Sequence, residues 1–165
     1  MERINHNIEP LYDRNSRILI LGSFPSVKSR EMQFFYGHPQ NRFWRVIAAL
    51  TDYPVPHTIE DKKKMLHENH IALWDTIASC EIEGSSDSSI KDVVPNNLNI
   101  ILETAPIQAV YCNGSKSYEL YHKYCEKQTG MLAVKLPSTS PANAACSLDR
   151  LIKEWSVIMD KLRAV

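Results

Sequence analysis

Short apolar runs bounded by turn residues alternate along this chain with longer stretches whose apolar residues recur at helical spacing. Four of these runs predict buried strands: Arg17–Gly22, about Ala72–Ile77, Gln108–Cys112 and Leu132–Leu136. Their shortness and their nearly continuous apolar character are typical of parallel strands that are covered on both faces.

Helical patterns separate these strands and follow the last one. Thr58 with an acidic residue three positions later is a helix start signal, and Gly130 is a stop signal. The last pattern has the clearest apolar stripe, from Leu148 to Leu162. The predicted helices are Asn41–Leu50, Thr58–Asn69, Asn97–Thr104, Ser115–Gln128 and Ser147–Leu162.

This alternation predicts an α/β fold, a three-layer α/β/α sandwich around a central, mostly parallel four-stranded sheet. A chain of 165 residues is expected to form one domain, residues 1–165. Ligands of such sheets bind beyond the carboxyl ends of the strands. The polar loops Gly22–Ser26, Glu81–Ser89 and Leu136–Asn143 follow strand ends, and we expect them at that edge.

Composition narrows the range of partners. The chain has 19 basic and 19 acidic residues, and this balance argues against a protein that coats nucleic acid. It leaves room for an enzyme that contacts a few phosphates. No apolar run is long enough to span a membrane, and the first residues lack the apolar core of a signal peptide.

Cysteine and histidine usage gives further expectations. The four cysteines are widely spaced and predict reduced thiols, hence a cytoplasmic location. His67 and His70 are three residues apart without an evident third ligand, so we expect no metal site. We also expect a monomer that needs no organic cofactor.

The candidate chemistry begins at the end of the first predicted strand. Gly22 lets the backbone approach a ligand closely, although an ordinary turn with a helix cap at Ser26 explains the loop equally well. The following segment, Phe34–Trp44, is rich in aromatic side chains. Within it Asn41 is either the cap of the next helix or a site residue.

Three further candidates lie near the end of a predicted strand or directly after one. Asp75 is either part of a structural network or a site acid. The run Asn113–Ser117 opens a helix, where free amides either are simply capped or bind a phosphate. The stretch Pro137–Pro141 offers hydroxyl groups and amides in a loop stiffened by proline, and it is either a turn or a surface that meets DNA.

Together these segments resemble the signature loops of the uracil-DNA glycosylase superfamily. Leu19–Ser26 looks like its first motif and Leu136–Asn143 like its second. The run Gly37–Trp44 is similar to mismatch-specific uracil/thymine glycosylases. The whole set looks closest to the hypoxanthine-DNA glycosylase branch, family six, which removes deaminated adenine from deoxyinosine in DNA.

The chain departs from the family pattern at two positions. Most members carry Asn, Asp or Gln just after the glycine of the first motif, where this chain has Ser23 and Phe24. Many begin the second motif with His, where this chain has Leu136. The resemblance implies that the catalytic role moves to Asn41, whose carbonyl oxygen would orient the attacking water.

The resemblance also implies the surroundings of the flipped base and the DNA contacts. The partner is damaged double- or single-stranded DNA, and Phe35 or Tyr36 would stack on the extruded base. The expected base pocket consists of Gly22, Ser23, Phe24, Pro25, Phe35, Tyr36, His38, Trp74 and Asp75. The expected DNA contacts are Ser26, Arg42, Asn113, Gly114, Ser115, Lys116, Pro137, Ser138, Thr139 and Ser140.

Three other functions stay open at this point. One is a uracil-DNA glycosylase acting on G:U mismatches. Another is a hydrolase of small molecules or nucleotides that uses Asp75 and His38 as an acid/base pair. A third is a domain that binds modified bases without cleaving them.

Overall fold

The computed structural model describes residues 2–163. The strands are β1 (Arg3–Asn5), β2 (Ile18–Gly22), β3 (Ile71–Asp75), β4 (Ile77–Glu81), β5 (Lys91–Pro95), β6 (Ala109–Asn113) and β7 (Ala133–Leu136). The helices are α1 (Val27–Met32), α2 (Phe43–Thr51), α3 (Ile59–Glu68), α4 (Asn99–Leu102), α5 (Ser115–Tyr124), α6 (Glu126–Thr129), α7 (Leu148–Trp155) and α8 (Ile158–Arg163). Asp87–Ser89 form a short 3-10 turn.

The central sheet has four parallel strands in the order β3-β2-β6-β7. Every residue of β2 and of β3 is buried, which requires cover on both faces of the sheet. The predicted α/β/α architecture is therefore confirmed. The helices supply the rest of the core, including Phe43, Ile47, Leu66 and Trp155.

A second sheet, which the sequence analysis missed, packs beside the first. It has three antiparallel strands in the order β1-β4-β5. The apolar run predicted as one strand, Ala72–Ile77, is divided: β3 ends at Asp75 and β4 begins at Ile77. The predicted loop Glu81–Ser89 overlaps this strand by one residue, because Glu81 is the last residue of β4.

A buried asparagine stabilises the segment in which the chain passes from the central sheet to the second sheet. The Asn96 side chain donates to the carbonyl oxygens of Asp75 and Ile77, at 2.8 and 3.1 Å. The backbone N–H of Asn96 donates to the carbonyl of Thr76 at 2.8 Å. Because buried backbone carbonyls need partners, this side chain stabilises the change of direction.

The predicted start and stop signals lie at helix ends, but two of the long predicted helices are each divided into two shorter helices. Thr58 caps α3 by accepting the Asp61 amide, and Gly130 ends α6 in a left-handed conformation. The predicted helix Ser115–Gln128 breaks at Cys125, and Ser147–Leu162 breaks at Ser156. There the Ser156 hydroxyl donates back to the Lys153 carbonyl at 2.6 Å, a bond that competes with the helical ladder.

The strand register brings the carboxyl ends of the central strands together. Gly22 pairs with Asp75, and Asn113 pairs with Leu136. The loops that follow these residues therefore meet at one edge of the sheet, as predicted. None of the helices within residues 2–163 has the length and apolarity needed to cross a bilayer.

Candidate active site

A cavity of about 130 Å³ opens at this edge of the sheet. It is lined by thirteen residues from the predicted site and by three others. The predicted ones are Gly22, Ser23, Phe24, Pro25, Ser26, Phe35, Tyr36, Asn41, Asp75, Asn113, Ser138, Thr139 and Ser140. The others are Ser29, Ser85 and Asp87.

The floor of the cavity depends on close contact between Gly22 and Asp75. A methyl group built on Gly22 would lie 2.4 Å from Asp75 Oδ1 and 3.2 Å from the Tyr36 hydroxyl. Only glycine therefore allows both side chains to reach this point. The requirement is for space, since a side chain here would displace the carboxylate.

Asp75 forms a buried pair with a histidine that the sequence analysis did not identify. His6 Nε2 lies 2.8 Å from Asp75 Oδ2, and both side chains are almost inaccessible to solvent. His6 Nδ1 accepts the Ile8 amide at 3.2 Å, so the proton sits on Nε2 and is donated to Asp75. The pair leaves Asp75 Oδ1 as the oxygen next to Gly22.

The second sheet delivers His6 to this position. Strand β1 pairs with β4, and the His6 amide donates to the Ala78 carbonyl at 2.7 Å. No local sequence signal marks His6, because its neighbour in space is 69 residues away.

A hydrogen-bond network joins the two loops through Thr139, which is completely buried. The Thr139 hydroxyl donates to Asn41 Oδ1 at 2.8 Å and accepts from Asn113 Nδ2 at 3.0 Å. The Thr139 backbone amide donates to Asn113 Oδ1 at 3.0 Å. These bonds fix the side chains of Asn41 and Asn113 relative to each other.

The structure revises the expected role of Asn41. Its Oδ1 accepts both the Thr139 hydroxyl and, at 2.9 Å, the Phe43 amide at the start of α2. A carbonyl oxygen has two lone pairs, so these two donors occupy it. The expected orientation of water by this oxygen is therefore not available here, and the amide Nδ2 is the polar atom left to act.

Tyr36 combines a strained backbone with an unpaired hydroxyl. Its φ is +50°, in the left-handed region, and one ring face stacks on Phe43 at 4.2 Å between centroids. Among residues 2–163 this buried hydroxyl has no hydrogen bond of normal geometry, although the Asn113 side chain is near enough to oppose the rise in its pKa. Burial raises the pKa of the Tyr36 phenol, and the charge of Asp75 raises it further, so the group stays a neutral donor.

Two residues expected in the base pocket lie elsewhere. Trp74 packs in the core, with its ring perpendicular to that of His6 at 6.4 Å between centroids, because side chains alternate along a strand and Asp75 takes the other face. His38 is exposed and accepts the Gln40 amide through Nδ1. It is absent from the described lining of the cavity, so the alternative Asp75–His38 pair does not form.

Arg42, expected at the DNA surface, instead organises the second loop. Its guanidinium donates to the carbonyl oxygens of Ser140 and Asn143, each at 3.0 Å, and to that of Cys146. The planar fork of donors suits several carbonyls held at fixed positions. The side chain is therefore used within the protein.

A groove of about 620 Å³ adjoins the cavity and includes five of the predicted DNA contacts: Ser115, Lys116, Pro137, Ser138 and Ser140. Gly114 lets α5 begin here, since its φ is +97° and an added methyl would lie 3.2 Å from Ser138 Cβ. The first amides of α5 and the Lys116 ammonium give this end of the helix a positive character.

Asp87 is the one titratable residue among the three cavity-lining residues that were not predicted. The 3-10 turn brings it to the mouth of the cavity, where its Oδ1 accepts the Ser23 hydroxyl at 3.0 Å. Asp87 is solvent-exposed as a residue, yet loss of hydration raises the pKa of its carboxyl group. Its position in a serine-rich loop after a strand was the available signal.

An α/β/α domain with a small polar cavity at the carboxyl edge of its sheet, beside a groove with a positive helix end, defines a class of nucleotide- or base-binding enzymes. Comparison with known proteins gives the family. The model of the uracil DNA glycosylase superfamily matches residues 9–160, and the chain belongs to this superfamily.

Named relatives and a solved structure agree with this assignment. A hypoxanthine DNA glycosylase from Methanosarcina acetivorans is 36% identical over 94% of this chain and 98% of its own length. One from Methanosarcina barkeri is 37% identical over 67% of this chain and 71% of its own length. The solution NMR structure of a candidate uracil DNA glycosylase from M. acetivorans has a TM-score of 0.82 at 34% identity, covering 96% of this chain and 98% of that one.

Proposed function

We propose that the protein is a monofunctional DNA glycosylase that hydrolyses the N-glycosidic bond of deoxyinosine and releases hypoxanthine. The observation that carries the proposal is the cavity at the carboxyl edge, in which Asn41 and Asp75 are each fixed by neighbouring side chains. The relatives named hypoxanthine DNA glycosylases support this substrate.

Asp75 is suited to read the edge of the flipped base. His6 engages Oδ2, which leaves Oδ1 as an acceptor at the cavity floor. Hypoxanthine has a ring N1–H that can donate to it, whereas adenine has an unprotonated N1 that cannot. A buried acceptor left without a donor costs about 1–3 kcal/mol, and more when it is charged. Asp75 therefore favours the deaminated purine over adenine.

Uracil also has a ring N–H, so discrimination against uracil rests on shape. A purine needs a wider pocket than a pyrimidine. Ser23, a small residue where most superfamily members have an amide or acid, lines the cavity and turns its hydroxyl away toward Asp87. This arrangement is consistent with room for a purine.

Asn41 and the first loop stabilise the leaving base. As the glycosidic bond breaks, negative charge develops on the purine, and donors aimed at that charge lower the barrier. The donors available are Asn41 Nδ2 and the backbone amides of Ser23, Phe24 and Ser26, since Pro25 has no N–H. Phe35 and the open face of Tyr36 supply aromatic surface for the ring.

The groove beside the cavity receives the DNA backbone. Lys116, the amides at the start of α5 and the Ser138 loop contact a small number of phosphates. The proposal includes a monomer that needs no metal and acts in the cytoplasm. The four free, buried cysteines support a reducing compartment.

The test is single-turnover excision from duplexes that carry inosine, uracil or adenine opposite each normal base, detected as strand cleavage after alkali treatment. We expect inosine to be excised fastest and adenine to remain intact. If uracil is faster in every context, the substrate assignment fails while a glycosylase activity stands. Binding without cleavage would instead identify a domain that binds modified bases. If the protein neither binds nor cleaves DNA, the remaining candidate function is hydrolysis of a small molecule or nucleotide.

A further inference from the structure

The cavity and the groove meet along a narrow line. Three described residues line both spaces: Asp87, Ser138 and Ser140. On the proposed function, the base occupies the cavity and the sugar–phosphate backbone follows the groove. The bond between them, from C1′ to N9, must then lie where the two spaces join.

Only one of these three residues, Asp87, has a titratable side chain. Its carboxylate is anchored from one side, since Oδ1 accepts the Ser23 hydroxyl at 3.0 Å. No other protein hydrogen bond to this carboxylate is present among the described residues. Oδ2 therefore has lone pairs for a group at the mouth of the cavity.

The proposed mechanism still lacks a group that accepts a proton from the attacking water. Ser23 stands where most superfamily members carry an amide or acid, and the oxygen of Asn41 is already occupied by Thr139 and Phe43. Neither residue can accept a proton from the attacking water. The Ser23–Asp87 hydrogen bond puts a carboxylate next to the position that lacks one.

We propose that Asp87 is the catalytic group that binds the attacking water and accepts its proton. The water oxygen forms a bond to C1′ while the C1′–N9 bond breaks and its electron pair leaves with the base. One water proton passes to the Asp87 carboxylate and then to solvent. The departing hypoxanthine anion takes one proton from solvent, so the products are hypoxanthine and an abasic deoxyribose.

The surroundings of Asp87 determine the pH at which it acts. Partial loss of hydration at the cavity mouth raises the pKa of its carboxyl group, although the residue is exposed as a whole. The Ser23 hydroxyl and Lys116 on α5 oppose that rise, and Asp75 on β3 adds to it. A base works only when ionised, so activity is lost as pH falls through this raised pKa. The acidic limb of the rate profile should therefore lie above the range of an unperturbed aspartate.

Asp87→Asn tests the role because the new amide oxygen still accepts from Ser23 while the charge and basicity are gone. We expect its single-turnover rate on inosine DNA to fall about 100-fold or more, with DNA binding unchanged or tighter. The acidic limb present in the wild type should disappear. Glu83→Gln, the equivalent acid-to-amide change on the same exposed loop but away from the cavity lining, is the matched control and should behave as the wild type.

The outcomes separate this proposal from the one on which it rests. Inosine release by the wild type supports the glycosylase function whatever Asp87 does. If Asp87→Asn then excises at the wild-type rate, or keeps the acidic limb, Asp87 is not the base. If the rate falls only because the variant unfolds at lower urea concentration or loses DNA binding, the role is structural and the proposal fails. Absence of release by the wild type overturns both.

Discussion

The Thr139 hydroxyl donates to Asn41 Oδ1 at 2.8 Å and so ties the loop after the last central strand to the loop before α2. The two residues are 98 positions apart in the chain. Asn113 completes the arrangement with two bonds to Thr139, at 3.0 Å each. The orientation of the Asn41 amide in the cavity therefore depends on a residue that does not need to touch the substrate.

Thr139→Val should uncouple this network while keeping the side-chain volume. It leaves the half-buried Asn113 side-chain amide without its acceptor, so we expect a loss of about 1–3 kcal/mol in the free energy of unfolding. We also expect a slower single-turnover rate, because Asn41 loses one of its two anchors. Thr139→Ser keeps the hydroxyl and should stay close to the wild type. If Ser and Val behave alike in urea unfolding and excision, the hydroxyl is not what matters.

Asn41 can be tested by two variants that separate its donor from its acceptor. Asn41→Ala removes both, and its excision rate should fall by roughly two to three orders of magnitude while DNA binding persists. Asn41→Asp keeps an oxygen for the Phe43 amide and Thr139 hydroxyl but replaces the Nδ2 donor with a second acceptor.

The aspartate variant is the informative one. We expect it to fold as well as the wild type and to be as slow as Asn41→Ala, because the donor is lost. Near wild-type excision by Asn41→Asp would show that the oxygen, and not the amide nitrogen, performs the chemistry.

Gly22→Ala should damage the cavity floor. The added methyl lies 2.4 Å from Asp75 Oδ1, so the carboxylate must move although His6 holds its other oxygen. We expect a loss of about 1–3 kcal/mol in unfolding free energy and a severe loss of excision. Gly84→Ala is the control: nothing lies within 4 Å of the added methyl, and only its left-handed backbone, with φ of +59°, is penalised. Wild-type excision by Gly22→Ala would remove Asp75 from base recognition.

DNA binding should depend only moderately on salt. With zero net charge, the protein is expected to neutralise about three or four phosphates, set against the 6–10 contacts of strongly salt-sensitive binders. Lys116→Met should reduce the slope of log affinity against log salt by about one. Arg42→Met should leave the slope unchanged and instead lower stability by about 2 kcal/mol or more, since three carbonyls lose a charged donor. A reduced slope for Arg42→Met would restore Arg42 to the DNA surface.

The sequence predicts the central sheet and most of the cavity because those features are local. The residues Leu19–Ser26 predict a buried strand followed by a loop, and the aromatic residues around Asn41 mark it as a candidate site residue. The loops converge because parallel strands all end at one edge.

What the sequence does not predict depends on long-range pairing. His6 reaches Asp75 only through β1, a strand of three residues without an apolar pattern. The same antiparallel sheet determines where Asp87 lies, since its turn connects β4 to β5. The role of Arg42 could not be inferred either, because its partners are carbonyl groups about 100 positions away.

Strand β1 also bears on where this domain should be considered to begin. The match to the superfamily spans residues 9–160, so a chain trimmed to that match would start after His6. Such a fragment would retain the central sheet and both signature loops, yet Asp75 would face the cavity without its buried partner. A shortened form of this kind would also leave β4 without its β1 neighbour, so its site would differ from that of the full chain. Inactivity of such material would reflect the trimming and carry no information about the natural substrate.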